Sequence, residues 1–429
     1  MGLESSTRVR GEVMVAQMRS ERTPSFNPTP QDLADAAERI APLVRAGAGE
    51  TESRRDPSPE VVAAMRDAGL HRLYMPRRYG GYGMDWGAHY VAGERLSREC
   101  GSTGWIASLV FSHIMFVGRF PVEAQDEFFG SGRDPVLATG SAGGGTLRRE
   151  GEDWRLKGRW SFVSGVNIAD GVMVVARENG AGPISHFILL MPGEYVVHDT
   201  WHAEGLRGTG SHDVTVDEVL VPARRVLTMQ QFTSMSPPGA AVAESYVHCV
   251  RTPAYQKSWF FGPLLGTARG AVASYLEQTR ARTGRIMGES IATQVPVQVR
   301  IGAACARLDA AELIFTDVLA RLHRLGAARE EIRGEELIRM RRLITLGAQL
   351  CAETTDTLAT MMGITGFATG NPVQRLHRDC RTVSMHVELN WDHSMSATGK
   401  VRLGVPTGDP LVDSDTAVAT NSVALGTQL

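Results

Sequence analysis

The sequence has no excess of positive charge. Its 45 lysines and arginines stand against 47 acids, a formal net charge of −2, with no Lys/Arg-rich block and no basic run interleaved with aromatics. Binding to a phosphate backbone draws on such an excess, so nucleic acid is not an expected partner. No run of about 18 apolar residues occurs, which argues against a transmembrane helix. The five cysteines, Cys100, Cys249, Cys305, Cys351 and Cys380, are scattered and form no CxxC pair. Zinc and dithiol chemistry therefore lack their usual ligands, and most of these thiols read as small buried apolar groups. Residues 1–27 are polar and contain arginine but no apolar core segment, so they do not read as a secretory signal; a frayed cytoplasmic tail is expected over 1–28.

What is present is length and two kinds of periodicity. At 429 residues the chain exceeds the usual size of one core, so two or three packed units are expected, and 43% hydrophobic with 21% charged residues is a soluble globular composition. Leu33, Ala36, Ile40 and Leu43 or Val44 recur at helical steps. Pro57-Ser58-Pro59 opens a second helix, with Ser58 as cap and Pro59 in the first turn, and Gly69 ends it. A Gly-rich connector over 73–83 follows, then helix over 86–98 and 104–117. From Pro135 the pattern becomes strand-like, at 153–158, 172–176, 186–191 and 214–221, which fits one compact β unit. Helical spacing returns near Trp259, with Ile301, Cys305, Leu308, Phe315 and Leu319 along one stripe and Leu346, Leu350 and Leu358 along another; long amphipathic helices of this kind make a bundle. The expected division is a helical domain over 29–135, a β domain over 136–235 and a helical bundle over 236–429.

Four stretches can carry chemistry. The loops Leu137-Ala138-Thr139-Gly140-Ser141-Ala142-Gly143-Gly144 and Gly158-Arg159-Trp160-Ser161-Phe162-Val163-Ser164-Gly165 combine backbone freedom with hydroxyls, and the second adds two aromatic planes. That suits contact with a planar heteroaromatic, and equally a pair of hairpin turns with Trp160 and Phe162 in the core. Neither loop has the glycine spacing of a dinucleotide or P-loop fingerprint. His113 lies in the apolar run Val110-Phe111-Ser112-His113-Ile114-Met115-Phe116, where it reads as a satisfied core group or as a polar point in an apolar wall. Near the C-terminus, Gln374-Arg375-Leu376-His377-Arg378-Asp379 leads into Met385-His386-Val387-Glu388-Leu389-Asn390-Trp391-Asp392. If that segment is helical, His386, Asn390 and His393 share a face. Two imidazoles and an amide without HExxH are a weak ligand set, so no metal is expected; a lone histidine suits proton transfer or stabilisation of a phenolate better. Arg375, Arg378 and Asp379 read as a salt-bridged helix start.

At these residues the chain resembles the acyl-CoA dehydrogenase fold and, within it, the oxygenase components of two-component flavin-dependent monooxygenases, of the 4-hydroxyphenylacetate, secosteroid and polyketide hydroxylase type. The likeness runs from Leu33 to Pro406 and rests on Gly80-Gly81-Tyr82-Gly83, Ser102-Thr103-Gly104-Trp105, Trp160-Ser161-Phe162-Val163-Ser164-Gly165, Gly205-Leu206-Arg207-Gly208-Thr209-Gly210-Ser211 and Asn371-Pro372-Val373-Gln374-Arg375-Leu376-His377-Arg378-Asp379, all in the same order. Where several dehydrogenases carry Tyr-Glu-Gly, with the glutamate that removes the thioester α-proton, this chain has His386-Val387-Glu388. Val387 is no base, and Glu388 would be about 100° out of phase on a helix, so desaturation is disfavoured.

The resemblance implies an α+β multi-domain fold with a barrel-like β domain and a C-terminal four-helix bundle. It implies reduced FMN or FAD (FMNH2 or FADH2) delivered by a separate NAD(P)H:flavin reductase, oxygen adding at the flavin C4a to give a hydroperoxide, and transfer of one oxygen atom to an aromatic substrate, phenolic or polyketide-like. His386 would promote phenol ionisation, and Ser164 would hydrogen-bond near the flavin N5. His113 and Ser141 match positions lining the substrate and flavin pocket, Trp160 and Phe162 would flank the flavin, and Asn390 would meet substrate. Arg282, Gln374 and Arg375 are candidates for flavin phosphate or adenine contacts, including contacts across a subunit interface; Arg282 and Arg285 read equally well as surface charges. The same likeness implies a homotetramer packed through the C-terminal helices, and the N-terminal stretch gives the expectation of a cytoplasmic protein. The alternatives are nitrogen or sulfur oxygenation on the same fold, a non-catalytic flavin scaffold and, less well supported, an acyl-CoA dehydrogenase with a relocated base.

Overall fold

A computed structural model describes residues 28–130, 134–284 and 288–413. The tail expected over 1–28 lies, but for its last residue, outside them, as does Arg285. Helix α1 (Pro30–Arg54) opens with a reciprocal cap, the Thr29 hydroxyl accepting from the Asp32 N–H and the Asp32 carboxylate accepting from the Thr29 N–H. Its stripe of Leu33, Ala37, Ile40 and Val44 is buried. Helix α2 (Pro59–Asp67) has the expected proline at its first turn, but the Ser58 side chain makes no capping bond. Helix α3 (Ala88–Ser97) is followed by α4 (Gly101–Arg119), which contains a π turn at Ile106–Val110 and continues as 3-10 helix over Phe111–Arg119. By length and apolarity α4 could cross a membrane, yet every residue of it is buried inside the protein, so its apolar surface is already covered. Helix α5 (Val122–Phe129) ends the N-terminal helices.

The middle of the chain forms a seven-stranded sheet of β1 (Leu137–Glu150), β2 (Asp153–Val163), β3 (Gly171–Glu178), β4 (His186–Leu190), β5 (Val196–His198), β6 (His212–Val221) and β7 (Val226–Thr228). The order across it is β5-β6-β2-β1-β3-β4-β7; β1 and β3 run parallel and the other pairs antiparallel. Among the described residues the end strands β5 and β7 are not paired with each other, so the barrel-like unit takes the form of a sheet. Its core holds Leu147, Leu156, Val174, Ile188 and Val214 around a completely buried Trp160.

The C-terminal part packs α6 (Phe261–Ala281), α7 (Val295–Ala327), α8 (Gly334–Met362) and α9 (Pro372–Ser384) side by side, with α10 (Trp391–Arg402) against α8. Of the expected α7 stripe, Leu308, Phe315 and Leu319 are buried while Cys305 is exposed; the other four cysteines are buried. Helix α6 lies backbone to backbone on α3. A Cβ on Gly266 would come within 2.2 Å of the Glu94 carbonyl oxygen, and one on Gly270 within 2.1 Å of that of Arg98. Only glycine permits that approach, and it joins the N-terminal helices to the C-terminal ones around one shared core.

Candidate active site

The site begins with the loop that precedes β6. Leu206 (φ 50) and Gly210 (φ 55) take left-handed conformations on either side of a 3-10 turn at Arg207–Thr209. Its backbone is tied down from three sides. The Leu206 N–H donates to Asp379 Oδ1 at 2.7 Å, the Gly208 N–H donates to Ser102 Oγ at 3.1 Å, and the Thr209 carbonyl accepts from the Gly165 N–H at 2.8 Å. Helix α9, helix α4 and the end of β2 therefore meet on it. The Asp379 carboxyl is wholly buried, and burial pushes its pKa up to about 6 against the opposing pull of the Leu206 N–H and the Arg375 and Arg378 charges.

Three hydroxyls run out of that loop. Thr209 donates to the Leu206 carbonyl at 2.9 Å, Thr209 and Ser211 share a 2.7 Å bond, and Ser211 and Ser164 share another of 2.7 Å. Ser164 also accepts from the Trp105 indole N–H at 3.2 Å. With the Thr209 proton committed to the carbonyl, Ser211 has one proton for two neighbours. When it goes to Ser164, the Ser164 proton is free to donate to a ligand.

Trp105 also faces the C-terminal segment. Its ring stacks on Phe260 at 5.6 Å between centroids, Phe260 lies 4.5 Å from the His386 ring, and His386 lies 6.1 Å from Trp105. Ser164 and His386, both singled out in the sequence, are thus brought to one indole. The expected continuous helix is absent here. Helix α9 stops at Ser384, a short 3-10 turn covers Val387–Leu389, and α10 starts at Trp391. His386, Asn390 and His393 consequently do not share a helical face. Asn390 is exposed, and its side-chain oxygen caps α10 by accepting from the His393 N–H at 2.8 Å. The phase argument about Glu388 lapses for the same reason, and another takes its place. The Glu388 carboxylate is 3.1 Å from the ammonium of Lys257, which also donates to the Glu388 carbonyl. Burial lowers the pKa of both His386 and Lys257; Glu388 opposes that shift in each.

Trp160 and Phe162 part company. Trp160 has no accessible surface, and its indole N–H donates to the Val175 carbonyl at 2.7 Å, so its expected flavin contact is corrected to a core role. Phe162 sits at φ 62 and is 65% exposed, its ring edge-on to Trp201. A phenylalanine held in the left-handed region at the rim of a site is a strained residue presenting a flat face. Ser141 is exposed on β1, within the irregularity between Gly140 and Gly145. His113 is enclosed by Phe116, Trp259 and the Thr139 hydroxyl, 3.3 Å from Nδ1, and burial holds its pKa down to about 3. It is a neutral wall group.

The remaining candidates lie apart. Arg282, at the end of α6, points Nη1 at the Met362 sulfur at 3.4 Å. The Gln374 amide oxygen is occupied by Arg378, at 3.0 and 2.8 Å. Arg375 reaches the Glu99 carbonyl at 3.4 Å, leaves Nε buried without a partner, and lines a separate cleft of about 1020 Å³ with Arg45, Arg95, Arg98 and Arg269. No contact among the described residues links these three to Ser164 or His386.

The residues around Ser164 fit a bound flavin. Phe162 supplies an exposed aromatic face, Ser164 a hydroxyl at the end of the hydroxyl chain, and Arg207, in the same tied loop, a buried Nε with no partner. Sequence reasoning passed over Trp105, Ser211, Phe260 and Lys257 as individual residues. Trp105, Ser211 and Arg207 lie inside motifs already quoted, whereas nothing in the linear order joins Lys257 to a glutamate 131 positions away.

Comparison with known proteins bears on this arrangement. The models "Acyl-CoA dehydrogenase, N-terminal domain" and "Acyl-CoA dehydrogenase, C-terminal domain" match residues 31–129 and 258–391. The "FADH(2)-dependent resorcinol hydroxylase, oxygenase component" of Rhizobium sp. (strain MTP-10005) is 31% identical over 390 residues, covering 85% of this chain and 92% of the relative. Among solved structures, the HsaA monooxygenase from M. tuberculosis superposes with a TM-score of 0.82 at 27% identity over 90% of this chain and all of that one. XiaF from Streptomyces sp., solved with FADH2 and glycerol, also gives 0.82, at 25% identity over 94% of this chain and all of the other.

Proposed function

The chain belongs to the acyl-CoA dehydrogenase-fold oxygenase components of two-component flavin-dependent monooxygenases, and from that premise we propose that it hydroxylates a phenolic or polyketide-like aromatic at a ring carbon. The class works with reduced flavin, and an oxygenase component implies a separate flavin reductase as partner. Bound reduced flavin supplies the activated oxygen atom. The protein's share is to hold the flavin, exclude water and present the substrate as an electron-rich anion, since a phenolate is a better acceptor of electrophilic oxygen than a phenol.

The observation that carries this reading is the Ser164, Trp105, His386 chain, in which a hydroxyl fitted to the flavin side and an imidazole fitted to the substrate side flank one indole. His386 interacts with the substrate oxygen, and Ser164 holds the flavin edge with Phe162 against its face. His113 with Thr139 is a neutral part of the enclosing wall, and Ser141 lies on the strand beside it. Trp105, Phe260, Trp259 and Phe116 provide apolar surroundings that keep water from the activated oxygen. Desaturation of a thioester is disfavoured because the residue at the usual base position is Val387 and the adjacent Glu388 is paired with Lys257. We assign the three units the ranges 29–135, 136–235 and 236–429. A homotetramer packed through C-terminal helices is supported by the exposed apolar side chains of Val295, Val299, Leu313, Ile364 and Phe367.

The test is to mix the protein with chemically reduced FMN or FAD, add oxygen and a panel of phenols, and analyse the products. Hydroxylated phenol in proportion to flavin oxidised is expected. Anaerobic bleaching of oxidised flavin by an acyl thioester, with no phenol product, would overturn the reading.

A further inference from the structure

We propose that Lys257 is a positioning residue for His386, clamping the Val387–Leu389 turn so that the imidazole presents an Nε2–H donor to the substrate oxygen and takes no proton from it. This rests on the reading that His386 faces the substrate. Lys257 lies on the turn Gln256–Phe260, three residues before Phe260, so the two side chains project from one side of that 3-10 turn. Both grip the His386 segment. Phe260 packs on the imidazole, while Lys257, only 8% exposed, donates to the Glu388 carbonyl and pairs with the Glu388 carboxylate at 3.1 Å.

A buried ammonium is costly unless it is both paired and hydrogen-bonded, and here one residue provides both. Glu388 is therefore anchored through its backbone and its side chain together. Its own N–H points at His386 and donates to Nδ1 at 3.2 Å. A neutral imidazole that accepts at Nδ1 carries its hydrogen at Nε2. The ring nitrogen left for a ligand is thus a donor, complementary to an oxyanion and unable to remove a proton while it remains in this tautomer.

The charged groups around the clamp are Lys257, Glu388 and, beyond them, the Arg341–Asp409 pair at 2.6 Å. Burial and the Lys257 charge both favour neutral His386, and Glu388 opposes them. The O–H bond of the phenol breaks with its proton passing to solvent water and buffer. The electron pair stays on oxygen, which accepts a hydrogen bond from the His386 Nε2–H.

Histidine-selective 13C,15N labelling of the full protein reads the tautomer directly by NMR, with the His386 signals assigned by their loss in His386→Leu. The parent is expected to show a single Nε2–H tautomer. Lys257→Met is expected to lose that single tautomer and to shift the His386 pKa upward, and Lys257→Arg to restore both. Should Lys257→Met not fold, the Lys257→Met, Glu388→Gln double variant removes both charges and is expected to show mixed tautomers. An Nδ1–H tautomer in the parent, or an unchanged tautomer and pKa on removing Lys257, overturns the proposal.

Turnover separates this from the functional reading. His386→Gln, whose amide donates but accepts no proton, is expected to retain oxygen transfer where His386→Leu loses about a hundredfold or more. Equal losses in the two variants contradict the donor role. If the parent shows the Nε2–H tautomer and the clamp responds as stated but no phenol is oxygenated, the clamp stands and the phenolic reading falls.

Discussion

His113 and His386 flank one pair of neighbouring aromatic residues, the first touching Trp259 and the second Phe260, yet their surroundings differ in kind. His113 is shut in by rings and a threonine, and burial, opposed by a backbone hydrogen bond at Leu137, holds its pKa down to about 3. His386 is half-buried at a break between helices, with a lysine, a glutamate and a backbone N–H arranged around it. The contrast teaches that burial by itself turns an imidazole into wall. Orientation by a peptide N–H and a fixed ion pair is what lets one present a chosen nitrogen to a ligand.

Helix α4 serves both neighbourhoods, carrying Trp105 at its start and His113 further along, and it ends on a fully buried Arg119. That guanidinium donates to the carbonyls of Phe232, Ser234, His248 and Val250, and burial pushes its pKa down to about 9. Arg119→Met leaves those acceptors without their donor and is expected to cost at least about 3 kcal/mol in urea unfolding. The loss should loosen the His113 side first, and hydrogen exchange localised around α4 would register it.

The next effect bears on the comparison itself. His386→Leu is expected to lower oxygen transfer by about a hundred- to a thousandfold, the usual effect of removing one donor to a developing oxyanion, with little change in urea stability. His113→Leu is expected to do the reverse, losing stability through the unpaired Thr139 while turnover falls much less. Single-turnover rates and unfolding curves for the two variants decide between these patterns, and equal losses of rate would dissolve the distinction.

A smaller effect concerns the loop that positions the hydroxyls. The Asp379 pKa in the folded protein, about 6, lies above its ordinary value of 3.8. The folded state therefore binds the proton more tightly. The stabilisation is full below pH 3.8 and is lost as pH rises through about 6, a change of about 3 kcal/mol at most. Asp379→Asn keeps an oxygen for the Leu206 N–H and should flatten that part of the stability profile between pH 4 and 7. The smallest effect is at Ser164. Ser164→Ala is expected to raise the hydrogen peroxide released per flavin oxidised by roughly tenfold or less, the worth of one hydrogen bond, without removing product altogether.

Much of this was legible in the linear order, because helical stripes and strand alternation follow from which side chains must leave water. Leu33, Ile40, Leu308 and Phe315 are buried as their spacing predicts, and Ser164 and His386, singled out from short stretches far apart in the chain, both reach Trp105. Three things were not legible. Trp160 and Phe162 are two apart on β2 and by alternation belong on one face, but the left-handed backbone at Phe162 turns its ring out while Trp160 stays in the core. The end of α9 at Ser384 carries no glycine or proline to mark it, so His386 and Asn390 looked like neighbours on a helix. The Lys257–Glu388 pair depends on the C-terminal segment returning to the start of α6, a tertiary event with no local signal.

Turnover under 18O2 with chemically reduced flavin and a panel of phenols, run side by side on the parent and His386→Leu, tests the central claim most directly. One 18O atom on a ring carbon of the phenol product is expected for the parent, with that product nearly abolished in the variant. Flavin oxidation with no labelled phenol, or equal labelling in both proteins, would contradict the account.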